Sequence, residues 1–322
     1  MEQRTCSMES VGLSMESVFV TGATGFIGKA LIEQLLKENK KIYALVLPAE
    51  QEKLPQNKNL IHVVGNLMEE EVLLEELADC SFDTIYHLAW AGVSTTVKND
   101  MELQLKNISM AFHVMKIAHE HQCKRVICTG SISEYAYEQE EVNGQQLPTP
   151  CDVYSATKAS VHIYCEYLAR LYGVGFNWIL IPSIYGPGRL DNNLITYCIR
   201  SLLRGEKPSF TKLEQMWDYI YIDDLIQALI LVGEHGKENT VYPVGTGEAR
   251  RMSEYVTIIK NSINPNAELG IGEIPYKTDR IDNAIVDISK IKQDVGYVPR
   301  YTFEEGIQKT IDFMRETEKK DV

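Results

Sequence analysis

Hydrophobic and polar positions in the first half of the chain alternate between the period of a strand and the period of a helix. The pattern begins at Val18, where a β-prone run leads into a loop with three glycines, and an amphipathic run follows to Lys37. This is the order strand, tight turn, helix. Further strands are predicted at 41–47, 60–64, 83–88, 125–128 and 177–181, and further helices at 69–77, 101–121 and 152–172.

Strands that alternate with helices predict βαβ units, and therefore an α/β fold with a doubly wound parallel sheet covered on both faces. The second half is less regular, and it predicts a smaller α/β region interleaved with late elements of the main sheet. The helices predicted there are 193–204, 224–232 (ended by Gly233), 253–262, 289–295 and 303–315, and the strands are 218–222 and 241–244.

Composition narrows the class of protein. The 322 residues are 44% hydrophobic and 24% charged, as in an ordinary globular enzyme. The formal net charge of −13 argues against a nucleic-acid or membrane-surface partner, because both need a basic face. The cysteines form no Cys-x-x-Cys pair and the histidines show no ligand spacing, so we expect reduced thiols, a cytoplasmic protein and no metal site. We find neither a membrane-spanning run nor a signal peptide.

The loop after the first strand carries Gly22, Gly25 and Gly28. Glycines at such a turn let the backbone approach a pyrophosphate, and the helix that follows presents its N-terminus to the negative charge. A glycine triplet alone is equally compatible with a turn that needs positive φ. The strand before it and the helix after it favour a dinucleotide site.

Tyr154 and Lys158 are four residues apart at the start of a predicted helix, so the phenol and the ammonium share one face. An adjacent ammonium lowers the pKa of a tyrosine, which can then exchange a proton with a carbonyl or alcohol oxygen. Ser131 follows a predicted strand, and its hydroxyl could hydrogen-bond the same oxygen. The alternatives are an ordinary surface pair for Tyr154 and Lys158, and a cap or turn residue for Ser131.

These motifs follow one another in an order that resembles the extended short-chain dehydrogenase/reductase family, in its nucleotide-sugar epimerase/dehydratase branch. The resemblance extends over 17–314. Besides the glycine loop, Ser131 and the Tyr154/Lys158 pair, it rests on the segments 86–89, 185–188, 218–224, 244–248 and 287–291. It implies a Rossmann-like dinucleotide-binding domain at 17–182 plus about 220–246 and a substrate-binding domain at 183–219 plus about 247–316. Residues 1–16 would be a flexible extension.

The resemblance also implies a role for each matching residue. Tyr154 would be the acid/base, Lys158 would hold the nicotinamide ribose, and Ser131 would bind the reacting oxygen. The cofactor would contact Gly22, Thr24, Gly25, Phe26, Ile27, Gly28, Asn66, Leu67, Leu88, Ala89, Asn107, Thr129, Tyr154, Lys158, Pro182 and Ile184. The nucleotide sugar would contact Ala91, Ser94, Ser131, Asn193 and Trp217, within a stretch that includes 89–95. The helices at 101–121 and 152–172 resemble the family's dimerising pair, with packing against the sheet as the alternative.

Three reactions compete within this branch. Dehydratases resemble one another in an acidic pair directly after the active-site hydroxyl. Ile132 and Ser133 hold those positions here, which argues against dehydration. Many members carry an arginine before Asp-Tyr-Ile that binds the substrate diphosphate, whereas this chain has Trp217. The charge could instead come from Arg189, Arg200, Arg204 or Arg280.

The Trp217-Asp218-Tyr219 variant looks most like reductases of 4-keto-6-deoxyhexose nucleotides, although Trp217 could merely pack. The second predicted strand ends without the acid that binds the ribose 2′-OH of NAD, since Glu50 comes later, and this slightly favours NADP(H) over NAD(H). We therefore expect an NAD(P)-dependent 4-keto-6-deoxysugar nucleotide reductase. The alternatives are an NAD-dependent nucleotide-sugar 4-epimerase and a non-catalytic dinucleotide-binding sensor.

Overall fold

The computed structural model of the chain describes residues 15–94, 96–135, 142–276 and 283–320. The helices in these ranges are α1 Phe26–Lys37, α2 Glu70–Leu77, α3 Met101–Glu120, α4 Val153–Tyr172, α5 Leu194–Leu203, α6 Ile222–His235, α7 Met252–Ile263, α8 Ser289–Val295 and α9 Phe303–Lys320. The strands are β1 Ser17–Thr21, β2 Lys41–Val46, β3 Leu60–Val64, β4 Thr84–His87, β5 Arg125–Thr129, β6 Gly175–Leu180, β7 Ser183–Tyr185, β8 Ser209–Phe210, β9 Met216–Trp217, β10 Tyr219–Tyr221, β11 Thr240–Pro243, β12 Arg250–Arg251 and β13 Gly270–Ile271. Two short 3-10 helices lie at Pro48–Lys53 and Ile132–Tyr135.

Seven strands form one sheet in the order β3-β2-β1-β4-β5-β6-β11, and neighbouring strands are parallel throughout. The predicted doubly wound parallel sheet is therefore confirmed. The strand order reverses at β1, which lies between β2 and β4. In such sheets the ligand crevice opens at the carboxyl ends of the strands beside this reversal.

Apolar side chains form a layer on each face of the sheet. On one face the layer includes Leu31 and Leu35 of α1 together with Leu225 and Leu229 of α6. The layer on the other face is built by α2, α3 and α4, and it includes Leu73, Ala111, Met115, Val161 and Cys165. Helices on both faces explain why the central strands are almost continuously buried.

The second, smaller region consists of short ladders and the helices that pack on them. The ladders pair β7 with β10, β9 with β12 and β8 with β13, while α5, α7 and α9 contact one another. β11 returns to the main sheet beside β6, so the chain passes between the two regions more than once. The limits given for the two domains stay a prediction.

Several element boundaries differ from the sequence-based prediction; α9, for example, extends to Lys320. Helix α6 does not end before Gly233 but continues to His235. Gly233 thus lies inside the helix, where it packs closely against the Tyr86 hydroxyl. A Cβ at position 233 would lie 2.2 Å from that oxygen. The extension predicted over 1–16 lies outside the described residues up to position 14, but Met15 is 1% exposed and belongs to the core.

Two buried carboxylates tie late segments to the rest of the fold. Asp218 accepts hydrogen bonds from the backbone N–H groups of Thr246 and Gly247 and from the Thr246 hydroxyl. Asp224 accepts from the backbone N–H groups of Arg300 and Tyr301. Asp218 and Asp224, at the two ends of the 218–224 segment, therefore have structural partners. No helix in the described part of the chain is long and apolar enough to cross a membrane.

Candidate active site

The glycine loop joins β1 to α1, and its backbone packs so closely on neighbouring backbone that Gly22 and Gly28 have no room for a side chain. Gly22 has a φ of +68°, and a Cβ there would lie 2.6 Å from the backbone nitrogen of Ala89. A Cβ at Gly28 would lie 2.2 Å from the Gly22 carbonyl oxygen. Gly25 precedes α1 and no side chain caps that helix. Close backbone approach and an uncapped helix N-terminus fit the pyrophosphate of a dinucleotide.

The loop after β4 forms the adjacent wall of the crevice. The backbone N–H groups of Leu88 and Ala89 donate to the carbonyl and hydroxyl oxygens of Thr21 at the end of β1. Asn107 of α3 is fully buried, and its amide bonds both the N–H and the carbonyl of Ala91. Asn107 therefore has a positioning role, in which α3 fixes the loop, and its predicted cofactor contact stays a prediction.

The catalytic candidates meet where β5 and α4 come together. Asp152 caps α4, because its carboxylate accepts from the Ser155 N–H, and this cap starts the helix just before Tyr154. Lys158, one turn later, is 3% exposed and donates to the carbonyl of Thr129 at 2.6 Å. The Ser131 hydroxyl lies beside the Tyr154 oxygen and is directed to donate to it. The structure thus brings all three candidates together.

Charge states in this cluster differ from the simple expectation. Burial raises the pKa of Tyr154, and the hydrogen bond from Ser131 lowers it less than burial raises it. The Lys158 nitrogen points at Thr129 and is 6.0 Å from the centre of the Tyr154 ring. The predicted lowering of the Tyr154 pKa by Lys158 is therefore wrong for this structure, and the phenol keeps its proton at neutral pH.

Ser133 determines which way the Ser131 hydroxyl points. The hydroxyl and the backbone N–H of Ser133 both donate to the Ser131 oxygen, at 2.8 and 3.2 Å. A serine oxygen has two acceptor sites, and both are then occupied. The Ser131 O–H is consequently left to donate, and in this structure it is directed at the Tyr154 oxygen. Sequence reasoning considered Ser133 only as a missing acid.

Several further residues of the site were missed by sequence reasoning. Trp90 covers Lys158, whose nitrogen lies 3.6 Å from the ring centre. Glu134 is fully buried behind Ser131 and accepts from its backbone N–H at 2.7 Å and from the indole N–H of Trp178. Glu134 follows Ser131 by three positions, and a lone acid in a predicted loop gave no signal of burial.

Glu50 lies closer to the glycine loop than its place in the sequence suggests. The 3-10 helix after β2 turns back, so that Glu50 accepts from the Thr24 hydroxyl at 2.7 Å and pairs with Lys53 at 2.7 Å. Hydrogen bonds from Lys53 and Thr24 lower the pKa of Glu50, which keeps it ionised. A carboxylate therefore stands beside the loop after all.

The other predicted cofactor contacts lie along the same edge of the sheet. Asn66 and Leu67 follow β3, and the Asn66 side chain accepts from the Met68 N–H. Phe26 and Ile27 open α1. Pro182 and Ile184 lie at the β6–β7 connection, where Ile184 pairs with β10.

The predicted substrate contacts divide into two groups. Trp217 is partly buried on β9, and its indole N–H donates to the Ser183 hydroxyl at 2.9 Å, so it lies beside the β6–β7 connection. The side-chain oxygen of Asn193 caps α5 by accepting from the Ile195 and Thr196 N–H groups. The capping role gives Asn193 a structural function, and its predicted substrate contact stays a prediction. Ser94 is exposed and bonds Thr96, and Thr95 lies outside the described residues.

The arginines that could replace a diphosphate-binding arginine already have partners. Arg189 pairs with Asp191 and bonds the Ile184 carbonyl, and Arg200 donates to the carbonyl of Leu190. Arg204 pairs with Glu318, and Arg280 lies outside the described residues. Across the residues that are described, no three His, Cys, Asp or Glu side chains are placed to hold a metal ion.

Comparison with known proteins finds a matching family model and several similar proteins. A model of the NAD dependent epimerase/dehydratase family matches residues 18–245. CDP-abequose synthase of Salmonella typhimurium is 26% identical over 310 residues, covering 92% of this chain and 97% of that protein. The dTDP-4-dehydro-6-deoxyglucose reductase of Escherichia coli is 24% identical over 310 residues, with coverages of 92% and 97%. The crystal structure of UDP-glucose 4-epimerase from Thermotoga maritima with UDP-glucose matches with a TM-score of 0.83 and 24% identity, covering 94% of this chain and 99% of that one.

Proposed function

Because the chain belongs to the NAD-dependent epimerase/dehydratase family, we propose that it reduces the C4 carbonyl of a nucleotide-activated 4-keto-6-deoxyhexose. The observation that carries this proposal is the hydrogen-bond arrangement of the two hydroxyls. Ser133 occupies both acceptor sites of Ser131, so the Ser131 O–H can only donate, and burial keeps the proton on the neighbouring Tyr154. Both hydroxyls are therefore donors for a carbonyl oxygen placed between them. Donors suit an oxygen that gains negative charge during reduction.

Tyr154, Ser131 and Lys158 would each have a separate role in the reduction. The reduced nicotinamide supplies the hydride that adds to the carbonyl carbon. Tyr154 gives its proton to the carbonyl oxygen, and Ser131 donates a hydrogen bond to that oxygen as charge develops on it. Lys158, held by Thr129 and Trp90, keeps a positive charge behind the phenol. The product is the corresponding alcohol.

Two further observations support reduction over dehydration. Ile132 and Ser133 stand directly after Ser131, and neither can shuttle a proton to eliminate water. Two of the curated relatives are named for the synthesis of CDP-abequose and the reduction of dTDP-4-dehydro-6-deoxyglucose. The assay must also determine which nucleotide the substrate of this chain carries.

The test is a panel of 4-keto-6-deoxyhexose nucleotides with different bases, each offered with NADH or NADPH. Reduction is expected to consume cofactor in step with substrate, and deuterium at C4 of the reduced cofactor is expected to appear at C4 of the sugar. Epimerisation of an ordinary nucleotide hexose without added cofactor would contradict the proposal in favour of a 4-epimerase. Cofactor binding without turnover of any sugar would favour a sensor.

We also propose that the cofactor is NAD(H), although the residues at the end of β2 alone slightly favour NADP(H). The carboxylate of Glu50 lies beside Thr24 of the glycine loop. A carboxylate there can accept a hydrogen bond from a ribose hydroxyl and repels a 2′-phosphate. The same contact favours the second candidate function, 4-epimerisation, because an epimerase retains NAD through its reaction cycle.

Replacing Glu50 with alanine is expected to weaken NADH binding by about tenfold, because a charge-assisted hydrogen bond is lost. NADPH binding should strengthen relative to NADH, since Lys53 loses its partner. Affinities for both cofactors can be measured by calorimetry. Glu52→Ala, an exposed acid in the same 3-10 helix, is the matched control. Tighter binding of NADPH than NADH by the unaltered protein would reject this assignment.

We propose further that the chain forms a homodimer through α3 and α4. These helices pack on each other and expose a group of large apolar side chains, which are Met101, Leu105, Phe112, Ile163, Tyr164, Tyr167 and Leu171. Phe112 and Tyr164 contact each other edge to face across the two helices, with ring centres 5.2 Å apart. A contiguous apolar surface of this kind is typical of an interface.

Ile163→Glu is expected to convert the dimer to a monomer, because Ile163 is 60% exposed on this surface and a charge there would be buried without a partner. Sedimentation velocity at micromolar concentration measures the change. Val72→Glu replaces an apolar side chain of α2 that is 52% exposed, and it should leave the dimer intact. A monomeric parent protein at that concentration would contradict the proposal.

A further inference from the structure

Glu134 is a buried carboxylate that the proposed reduction does not use. It is 0% exposed, and its oxygens accept from the Ser131 N–H at 2.7 Å and from the Trp178 indole N–H at 3.2 Å each. Burying a carboxylate is costly unless charge and hydrogen bonds offset the lost hydration. N–H groups are the partners that an ionised carboxylate needs. Burial raises the pKa of Glu134 to about 8, whereas the hydrogen bond from the Ser131 N–H, the charge of Lys158 and the hydrogen bond from Trp178 lower it. These partners therefore favour the charged form of Glu134 against the cost of burial.

Lys158 is the opposite charge in the same buried cluster. Its nitrogen bonds the Thr129 carbonyl, lies 3.6 Å from the centre of the Trp90 ring and is 5.9 Å from the centre of the Trp178 ring. Trp178 thus links the two charges, because its N–H binds Glu134 while Lys158 lies near the ring. Glu134 is the carboxylate of the described residues that acts electrostatically on Lys158.

We propose that Glu134 is a positioning residue that keeps Lys158 charged and fixes the backbone of Ser131. Its carboxylate supplies the negative charge that a buried ammonium requires, and its hydrogen bond to the Ser131 N–H holds the loop that orients the donor hydroxyl. Glu134 touches no reacting atom, so it acts through Lys158 and Ser131. The inference rests on the proposed function, because that function explains why Lys158 should stay charged. Its principal test nevertheless needs no substrate.

Other titratable groups around the pair are neutral at working pH or lie farther away. Burial and the charge of Lys158 lower the pKa of His87 to about 3, and burial lowers the pKa of His162 to about 4. Burial raises the pKa values of Cys128, Tyr135 and Tyr154. The His162 nitrogen is 4.0 Å from Glu134. Burial also lowers the pKa of Lys158 to about 8, while the charge of Glu134 raises it.

The titration of Lys158 can be followed directly by NMR of protein labelled with 13C at the lysine Cε. Stacking of Lys158 against Trp90 should shift its signal by the ring current, and loss of the signal in Lys158→Met assigns it. Glu134→Gln removes the negative charge and keeps the shape. The ammonium is then less stabilised, so its pKa falls and deprotonation moves to lower pH, by about one unit or more.

Glu75→Gln is the matched control, because it removes one exposed charge from α2 and should leave the Lys158 midpoint unchanged. If Glu134→Gln does not fold, the double variant Glu134→Gln/Trp178→Phe can be used instead. The second substitution removes the indole N–H, which donates to the Glu134 carboxylate in the parent protein. The double variant is expected to show the same lowered midpoint. An unchanged or raised midpoint in the variant that folds would overturn the proposal, whether or not any sugar is reduced.

Once a substrate is known, the pH dependence of kcat/KM provides a second readout. The alkaline limb of the Glu134→Gln profile should move to lower pH together with the Lys158 midpoint, so the loss of activity grows as pH rises. An equal loss at every pH would indicate damage to the fold and would overturn the charge role. Failure to find any reduction would reject the proposed function and leave the NMR result standing.

Discussion

Tyr154→Phe is expected to lower kcat by a factor of about 10³, in the range that a positioned proton donor contributes. The remaining groups cannot replace the phenol. The Ser131 hydroxyl is an alcohol, which is a much weaker acid than a phenol. Lys158 is directed at the Thr129 carbonyl, and His87 is neutral and bonded to Thr21. The rate can be measured with the substrate that the panel identifies.

Cofactor affinity separates loss of chemistry from loss of structure in this variant. The dinucleotide would rest on the glycine loop, which Tyr154 does not contact, so NADH affinity should stay within about threefold of the parent value. Tyr164→Phe, which removes an exposed hydroxyl from the same helix, is expected to retain full activity. A Tyr154→Phe enzyme with activity near that of the parent would exclude Tyr154 as the proton donor.

Gly22→Ala is expected to abolish cofactor binding and to lower the free energy of unfolding by about 3 kcal/mol or more, from left-handed strain plus overpacking. The added methyl would lie 2.6 and 2.7 Å from backbone atoms of Ala89 and Leu88. Backbone atoms cannot move aside as a flexible side chain can, so the ends of β1 and β4 must separate. Calorimetry of NADH binding and urea unfolding measure both effects.

Gly173→Ala separates the two causes, because Gly173 has the same φ of +68° but open space around it. Only the conformational cost of about 1–2 kcal/mol should then appear, and cofactor affinity should not change. Equal effects of the two substitutions would mean that the close backbone approach at Gly22 does not matter. The main argument for cofactor binding by the glycine loop would then be lost.

Local sequence patterns were sufficient to predict much of the fold and several residues of the candidate site. The β1–loop–α1 unit, the helix that begins near residue 152 and the four-residue spacing of Tyr154 and Lys158 are read within a few residues of sequence. They are reproduced because hydrophobic period, glycine spacing and helix geometry act over the same short range.

The errors have a common physical origin in contacts between distant parts of the chain. Gly233 looks like a helix end, but it is small because Tyr86 of β4 packs against it. Glu50 looks too late to reach a cofactor until the 3-10 helix returns it to Thr24. The burial of Glu134 depends on Trp178, 44 residues away. Sequence spacing holds no record of such pairings.

The occupied acceptor sites of Ser131 also determine which hydrogen bonds a ligand can make in the crevice. An oxygen that already receives two hydrogen bonds from Ser133 has no site left for a ligand that donates. A ketone, which only accepts, is well matched to Ser131. A protonated amino sugar of the same size would set donor against donor. Recognition at this position therefore depends on the direction of a hydrogen bond more than on the volume of the group.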